Sequence, residues 1–216
     1  MRPTRVVEVE TPQGLARATV HRPANAIGTL VLGHGAGGQG WSGDIVAVTG
    51  ALTAEGWAVV LVDQPWRVAG RKVATPPKTL DAAWVPVLAA LTTGRGRLPR
   101  PLVVGGRSAG ARVACRTAEE VGADAVLCLS FPLHPPGKPE SSRAEELLTP
   151  IRAGLPVHVV QGEADPFGTP DEVRREVRAV VPDPAYVTSA KGTHSFGRAP
   201  ADVVEAVRGF LREIRH

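Results

Sequence analysis

Apolar positions along the 216-residue chain fall into short continuous runs, separated by longer stretches with helical spacing. Val6–Val9 and Ala16–His21 flank the turn Pro12-Gln13-Gly14 and predict an N-terminal hairpin. Six further runs, rich in Val and Leu, predict strands at Thr29–Leu32, Trp57–Val62, Leu102–Val104, Ala125–Leu129, Val157–Val160 and Tyr186–Thr188. Helical spacing covers Asp44–Glu55, Leu80–Leu91, Ser108–Glu120, Asp171–Val180 and Ala201–Ile214. Pro86 is expected to kink the second of these helices. Strands that are apolar throughout are buried on both faces, as in a parallel sheet. The expected fold class is therefore α/β, a mostly parallel sheet of about eight strands with helices on both faces. In such sheets ligands bind beyond the carboxyl ends of the strands, so chemistry is sought in the residues that follow each run.

Composition narrows the picture. The length fits one domain, spanning 1–216, able to bury its own core. The 24 glycines and 20 prolines follow no fixed period, which excludes collagen-like and solenoid architectures. Net charge is +4, and the basic residues are four lysines and otherwise arginines, scattered without a block. That pattern reads as a solvated surface and predicts no nucleic-acid partner. Cys115 and Cys128 are too few for a disulfide framework and lack metal-ligand spacing, and Cys128 reads as a buried thiol. No apolar run is long enough to span a membrane, and residues 1–10 do not read as a signal peptide, so the expectation is a cytoplasmic protein. Oligomeric state is not legible.

Gly106-Arg107-Ser108-Ala109-Gly110 is a G-x-S-x-G sequence. With seven serines and this glycine content, the pattern arises by chance in about one such chain in ten, so context must carry it. Here it follows a buried strand and opens a helix, the setting of a nucleophile elbow. A side chain two residues either side of Ser108 would clash where strand and helix pass closely. The competing reading is an ordinary strand-to-helix turn with a serine N-cap. A serine nucleophile needs a base, and the base an orienting acid. His194, after the last strand run, is the expected base. His34 precedes the nucleophile, His134 comes too early, and His158 falls inside a buried run. Asp165, in Gln161-Gly162-Glu163-Ala164-Asp165-Pro166, is the expected acid, with Glu163 the second choice. His34-Gly35-Ala36-Gly37-Gly38 follows the third strand and suits an oxyanion loop, so the donors expected are Ala36 N–H and Ala109 N–H. A phosphate-binding reading lacks the P-loop Lys-Ser/Thr.

With these residues in view, the chain from about Thr29 to Ile214 resembles the alpha/beta-hydrolase superfamily. More narrowly, Gly105–Gly110, Phe131–Pro139 and Gly162–Gly168 resemble its small dienelactone-hydrolase-like branch. That branch includes a testis-expressed protein and a subunit of the non-specific-lethal chromatin complex. It departs from true dienelactone hydrolases in carrying Ser108 where their nucleophile is Cys. The resemblance implies an alpha/beta-hydrolase fold and a serine-type hydrolase of small carboxylic esters or thioesters, with no cofactor and no metal. The alternative is a hydrolase-fold interaction module with an unused triad. Phe131 to Leu155 is only 25 residues, too few for a multi-helix lid, so the site is expected to be open. Gly35, Trp66 and Arg107 are candidate substrate contacts. Arg107 with Arg67 and Arg71 would form an electropositive mouth favouring anionic esters; the bland reading is ordinary surface charge.

Overall fold

A computed structural model describes residues 4–37, 40–181, 187–196 and 200–215. The N-terminal hairpin is β1 (Arg5–Thr11) and β2 (Gly14–His21), paired in antiparallel register from Arg5 opposite Val20 to Thr11 opposite Gly14. The chain then lays down β3 (Thr29–Gly33), β4 (Ala58–Asp63), β5 (Leu102–Arg107), β6 (Ala125–Leu129), β7 (Val157–Gly162) and β8 (Val187–Ala190). Their order in the sheet is β1-β2-β4-β3-β5-β6-β7-β8. Only the β1–β2 and β2–β4 pairings are antiparallel. Strands β3 and β6 thus flank β5, and the loops that follow them stand on opposite sides of the β5 terminus.

Alternation along the strands divides the core in two. Val31, Val60, Val62 and Val104 face one layer, with α3 (Pro77–Thr92), α4 (Ala109–Thr117), α5 (Ala144–Arg152) and α6 (Pro170–Arg178). Leu30, Leu32, Val59, Leu61 and Val103 face the other, with α1 (Gly43–Ala54) and α7 (Ala201–Ile214). A short α2 (Pro65–Val68) follows β4. Because both faces are covered, β3, β6 and β7 are buried at every position, which explains their unbroken apolar runs.

Two expectations change. Helix α3 runs on through Pro86. Helix α5 was not foreseen: a Pro- and Ser-rich approach and Pro150 within it obscure its period. Gly38 and Tyr186 lie outside the described residues. Cys115 and Cys128 are free, buried thiols with Sγ atoms 3.4 Å apart. No helix among the described residues is long and apolar enough to cross a membrane.

Candidate active site

Three glycines make the elbow possible. Gly33 ends β3 directly beside Gly106 of β5. A Cβ on Gly106 would lie 2.5 Å from Gly33 O, and one on Gly110 would lie 2.4 Å from the same atom. The turn closes against backbone, which has no flexible end to swing aside, so both positions must be glycine. Between them Ser108 adopts φ 53° and ψ −111°, a conformation side chains rarely take. Its N–H donates to Leu129 O at 3.0 Å, tying the strained residue to the end of β6. Such strain costs about 1–3 kcal/mol and persists only where the surroundings over-determine it.

Asp165 and His194 arrive on two interlocked loops. A Cβ on Gly162, the last residue of β7, would lie 2.2 Å from Thr193 O, so the loop carrying His194 packs directly on that strand end. Ala164 N–H donates to Gly192 O at 3.0 Å and Glu163 N–H to Ala190 O at 2.9 Å. Asp165 is buried; its carboxylate accepts from Phe167 N–H at 2.9 Å and from the Gln161 amide at 3.0 Å. Gln161 is wholly buried; its amide also donates to Gly168 O and Phe131 O, and its Oε1 accepts from Phe131 N–H. It therefore fixes Asp165 to the loop after β6.

The expected residues come together. His194 Nδ1 lies 2.8 and 3.0 Å from the Asp165 oxygens, and its Nε2 lies 2.9 Å from Ser108 Oγ. The Phe167 ring stands 4.3 Å from the imidazole, centroid to centroid. Glu163 is exposed, and among the described residues it pairs through its backbone, so of the two candidate carboxylates Asp165 is the one that touches His194.

A cleft of about 390 Å³ opens in front of Ser108. Gly35, Ala36 and Gly37 form one wall, and Pro132 and Arg143 stand across from them. His34 braces the first wall from behind: Nδ1–H donates to Gly35 O at 2.8 Å while Nε2 accepts from Gln64 N–H at 3.1 Å. The second bond requires the neutral ring, with its proton on Nδ1. Burial lowers its pKa to about 4, against the opposing effect of the Gly35 hydrogen bond and with a smaller push from the nearby Arg67 charge. Because a trans peptide sets C=O and N–H on opposite sides, holding Gly35 O toward His34 turns Ala36 N–H away from it. Ala36 O is itself held by Ala74 N–H at 3.1 Å.

Trp66 and Arg107 stand differently with respect to the cleft. Trp66 does not line this cleft: it is buried in α2, edge-on to His34 at 5.0 Å, filling space beneath the glycine loop. Arg107 does line it, but its Nε lies 3.4 Å from the buried Asp44 and its Nη2 donates to His194 O. Its charge is thus engaged in joining α1, the elbow and the His194 loop. Nor do the other arginines gather into a mouth. Arg67 pairs with Asp63 at 3.1 Å and lies over the Trp41 ring, and Arg71 borders a different cavity beside α2. Two further arginines reach the cleft beside Arg107, and nothing in the sequence singles them out: Arg112 and Arg143. Gln161 had one visible signal, a polar residue inside an apolar strand run.

An α/β sandwich whose sheet delivers a strained serine, a histidine and a buried aspartate to one edge defines a class of protein. A family model described as an alpha/beta hydrolase domain matches residues 26–206, and the chain belongs to that family. No curated protein matches it by sequence. Solved structures with the same fold include a lidless α/β serine hydrolase from Xanthomonas campestris, 16% identical, covering 99% of this chain and 95% of that one, with a TM-score of 0.71. A serine hydrolase homologue from Coxiella burnetii is 16% identical, covers 95% and 96%, and has a TM-score of 0.75. Esterase 2 of Thermogutta terrifontis, solved phosphoramylated by tabun, is 18% identical, covers 99% and 96%, and has a TM-score of 0.74.

Proposed function

We propose that the protein is a serine hydrolase acting on small carboxylic esters or thioesters. The observation that carries this reading is the continuous chain from Ser108 Oγ through His194 to buried Asp165, set on an elbow that only glycines permit. Asp165 accepts a hydrogen bond from Nδ1–H, which leaves Nε2 as the acceptor facing Ser108. As Oγ bonds to the substrate carbonyl carbon, its proton passes to Nε2, and the carbonyl oxygen gains the negative charge. Ala36 N–H and Ala109 N–H stabilise that oxyanion; such a donor is typically worth about 10²–10³ in rate. Collapse breaks the bond to the leaving oxygen or sulfur, which takes the proton from Nε2. A water then repeats the sequence on the acyl-serine: its proton goes to Nε2 and on to Oγ as the acid departs.

The open cleft and the single helix between β6 and β7 support a small or surface-presented ester. The serine-hydrolase and esterase descriptions of the structural neighbours point the same way. A fluorophosphonate probe followed by peptide mapping tests the reading. Labelling at Ser108, absent in Ser108→Ala, is expected. Failure to label well-folded protein overturns it in favour of an interaction module.

A further inference from the structure

Among the described residues lining the cleft there are three arginines, Arg107, Arg112 and Arg143, and no Asp or Glu. Arg107 is engaged with Asp44 and His194 O. Arg112 sits one helical turn beyond the nucleophile, its N–H donating to Ser108 O at 3.2 Å. Its guanidinium grips Glu146 with two bonds of 2.8 and 2.6 Å. Glu146 is shared with Arg116 at 2.5 Å, and Arg116 also takes Asp81 at 2.6 Å. Three guanidiniums, of Arg112, Arg116 and Arg143, therefore stand around two carboxylates. The uncompensated charge falls on Arg143.

Among the described residues, Arg143 makes one side-chain hydrogen bond, from Nη1 to the neutral Pro132 O at 3.1 Å. No carboxylate among the described residues lies within 4.0 Å of it. A guanidinium carries five N–H donors in a planar fork. Partial burial, and after it the neighbouring Arg112 charge, lowers its proton affinity against the smaller opposing effect of Glu146. It is also well placed. The loop after β3, which holds Ala36, and the loop after β6, which leads to Arg143, form opposite walls with Ser108 between them.

We propose that Arg143, backed by Arg112, is an anion subsite, and that the substrates are esters or thioesters bearing a second, free carboxylate. This rests on the reading of Ser108 as nucleophile. The ester carbonyl lies at Ser108 while the free carboxylate takes two parallel N–H bonds from Arg143 across the cleft. The reaction is the same hydrolysis, releasing a dicarboxylic acid when the free carboxylate is on the acyl side.

The test compares 4-nitrophenyl hydrogen glutarate with its methyl diester, in the parent and in Arg143→Gln, at low and moderate salt. Gln keeps a donor for Pro132 O while removing the charge. The kcat/KM ratio of anionic to neutral substrate is expected to fall about 10–150-fold, chiefly through KM, the range for a hydrogen bond to a charged group. Arg143→Lys should give an intermediate ratio, and added salt should lower the parent's ratio. Equal ratios in parent and Arg143→Gln overturn the subsite while leaving Ser108 chemistry standing. Binding separates the two readings. Monomethyl glutarate is titrated by NMR into Ser108→Ala, which cannot turn it over. At least tenfold weaker binding on adding Arg143→Gln supports the subsite even for a protein that hydrolyses neither ester. Unchanged affinity overturns it.

Discussion

Replacing Asp165 by Asn keeps the shape of the side chain and changes two things that can be measured apart. The carboxylate accepts from three N–H groups: Phe167 N at 2.9 Å, Gln161 Nε2 at 3.0 Å, and His194 Nδ1 at 2.8 and 3.0 Å from its two oxygens. An amide has one acceptor oxygen and one donor nitrogen. In one orientation its NH₂ meets Gln161 Nε2, and in the other it meets Phe167 N–H. Either way a buried donor faces a donor, and His194 Nδ1 sees the NH₂ as well. The imidazole can satisfy that NH₂ only as the other tautomer, which puts a proton on Nε2 where Ser108 needs a base. In a well-studied triad this change costs about 10⁴ in kcat, roughly 5.4 kcal/mol of barrier. The mismatched donor costs about 1–3 kcal/mol of stability, or about 2–12 °C in Tm for a chain of this size. Hydrolysis of 4-nitrophenyl acetate and calorimetry read the two effects. Glu163→Gln, at an exposed side chain, should leave both nearly at parent values. Asp165→Asn retaining activity within tenfold of parent, or Glu163→Gln losing more than it does, would refute the assignment.

Three further outcomes follow from the same geometry. Arg107→Met leaves Asp44 buried without its cation and frees His194 O, so kcat should fall at least about tenfold with little change in KM, and urea titration should show a loss of about 3–5 kcal/mol. Gly110→Ala drives a Cβ to 2.4 Å from Gly33 O and should destabilise by about 1–3 kcal/mol, whereas Gly50→Ala in α1, with nothing within 4 Å, should stabilise by about 0.5–1 kcal/mol. Burial lowers the pKa of both His34 and His158 to about 4; the unfolded chain then binds more protons between pH 6.5 and 4, so stability should fall as pH drops through that window, by up to about 3 kcal/mol per histidine, and His158→Gln should flatten the urea-midpoint profile.

What the sequence made legible was whatever has a local cause. A strand buried on both faces must be apolar at every position, so β3, β6 and β7 announce themselves, and a turn closing on backbone at 2.4 Å must be glycine, so Gly106 and Gly110 bracket Ser108. Chain order then carried the search to Asp165 and His194, which meet although 29 residues apart. Neither signal extends to α5, where prolines and a short length break the period that betrays a helix.

Charge partners were illegible for the opposite reason. An arginine's role depends on which carboxylate the fold brings to it, and the pairs here join residues far apart in sequence: Arg107 with Asp44, Arg116 with Asp81, Arg112 with Glu146. Arg107 drew attention because it adjoins the nucleophile, yet adjacency in a turn says nothing of direction, and its side chain runs toward α1 and the base loop. Trp66 misled in the same way, since a large aromatic after a strand end serves equally to face a substrate or to pack under the loop that does. Arg143 gave no signal at all, because what distinguishes it is the carboxylate it lacks. That lack is visible only once every neighbouring arginine has been matched to its partner. The residues that build the elbow are therefore local and readable, while the arginines around the cleft are set by a charge balance that only the folded chain strikes.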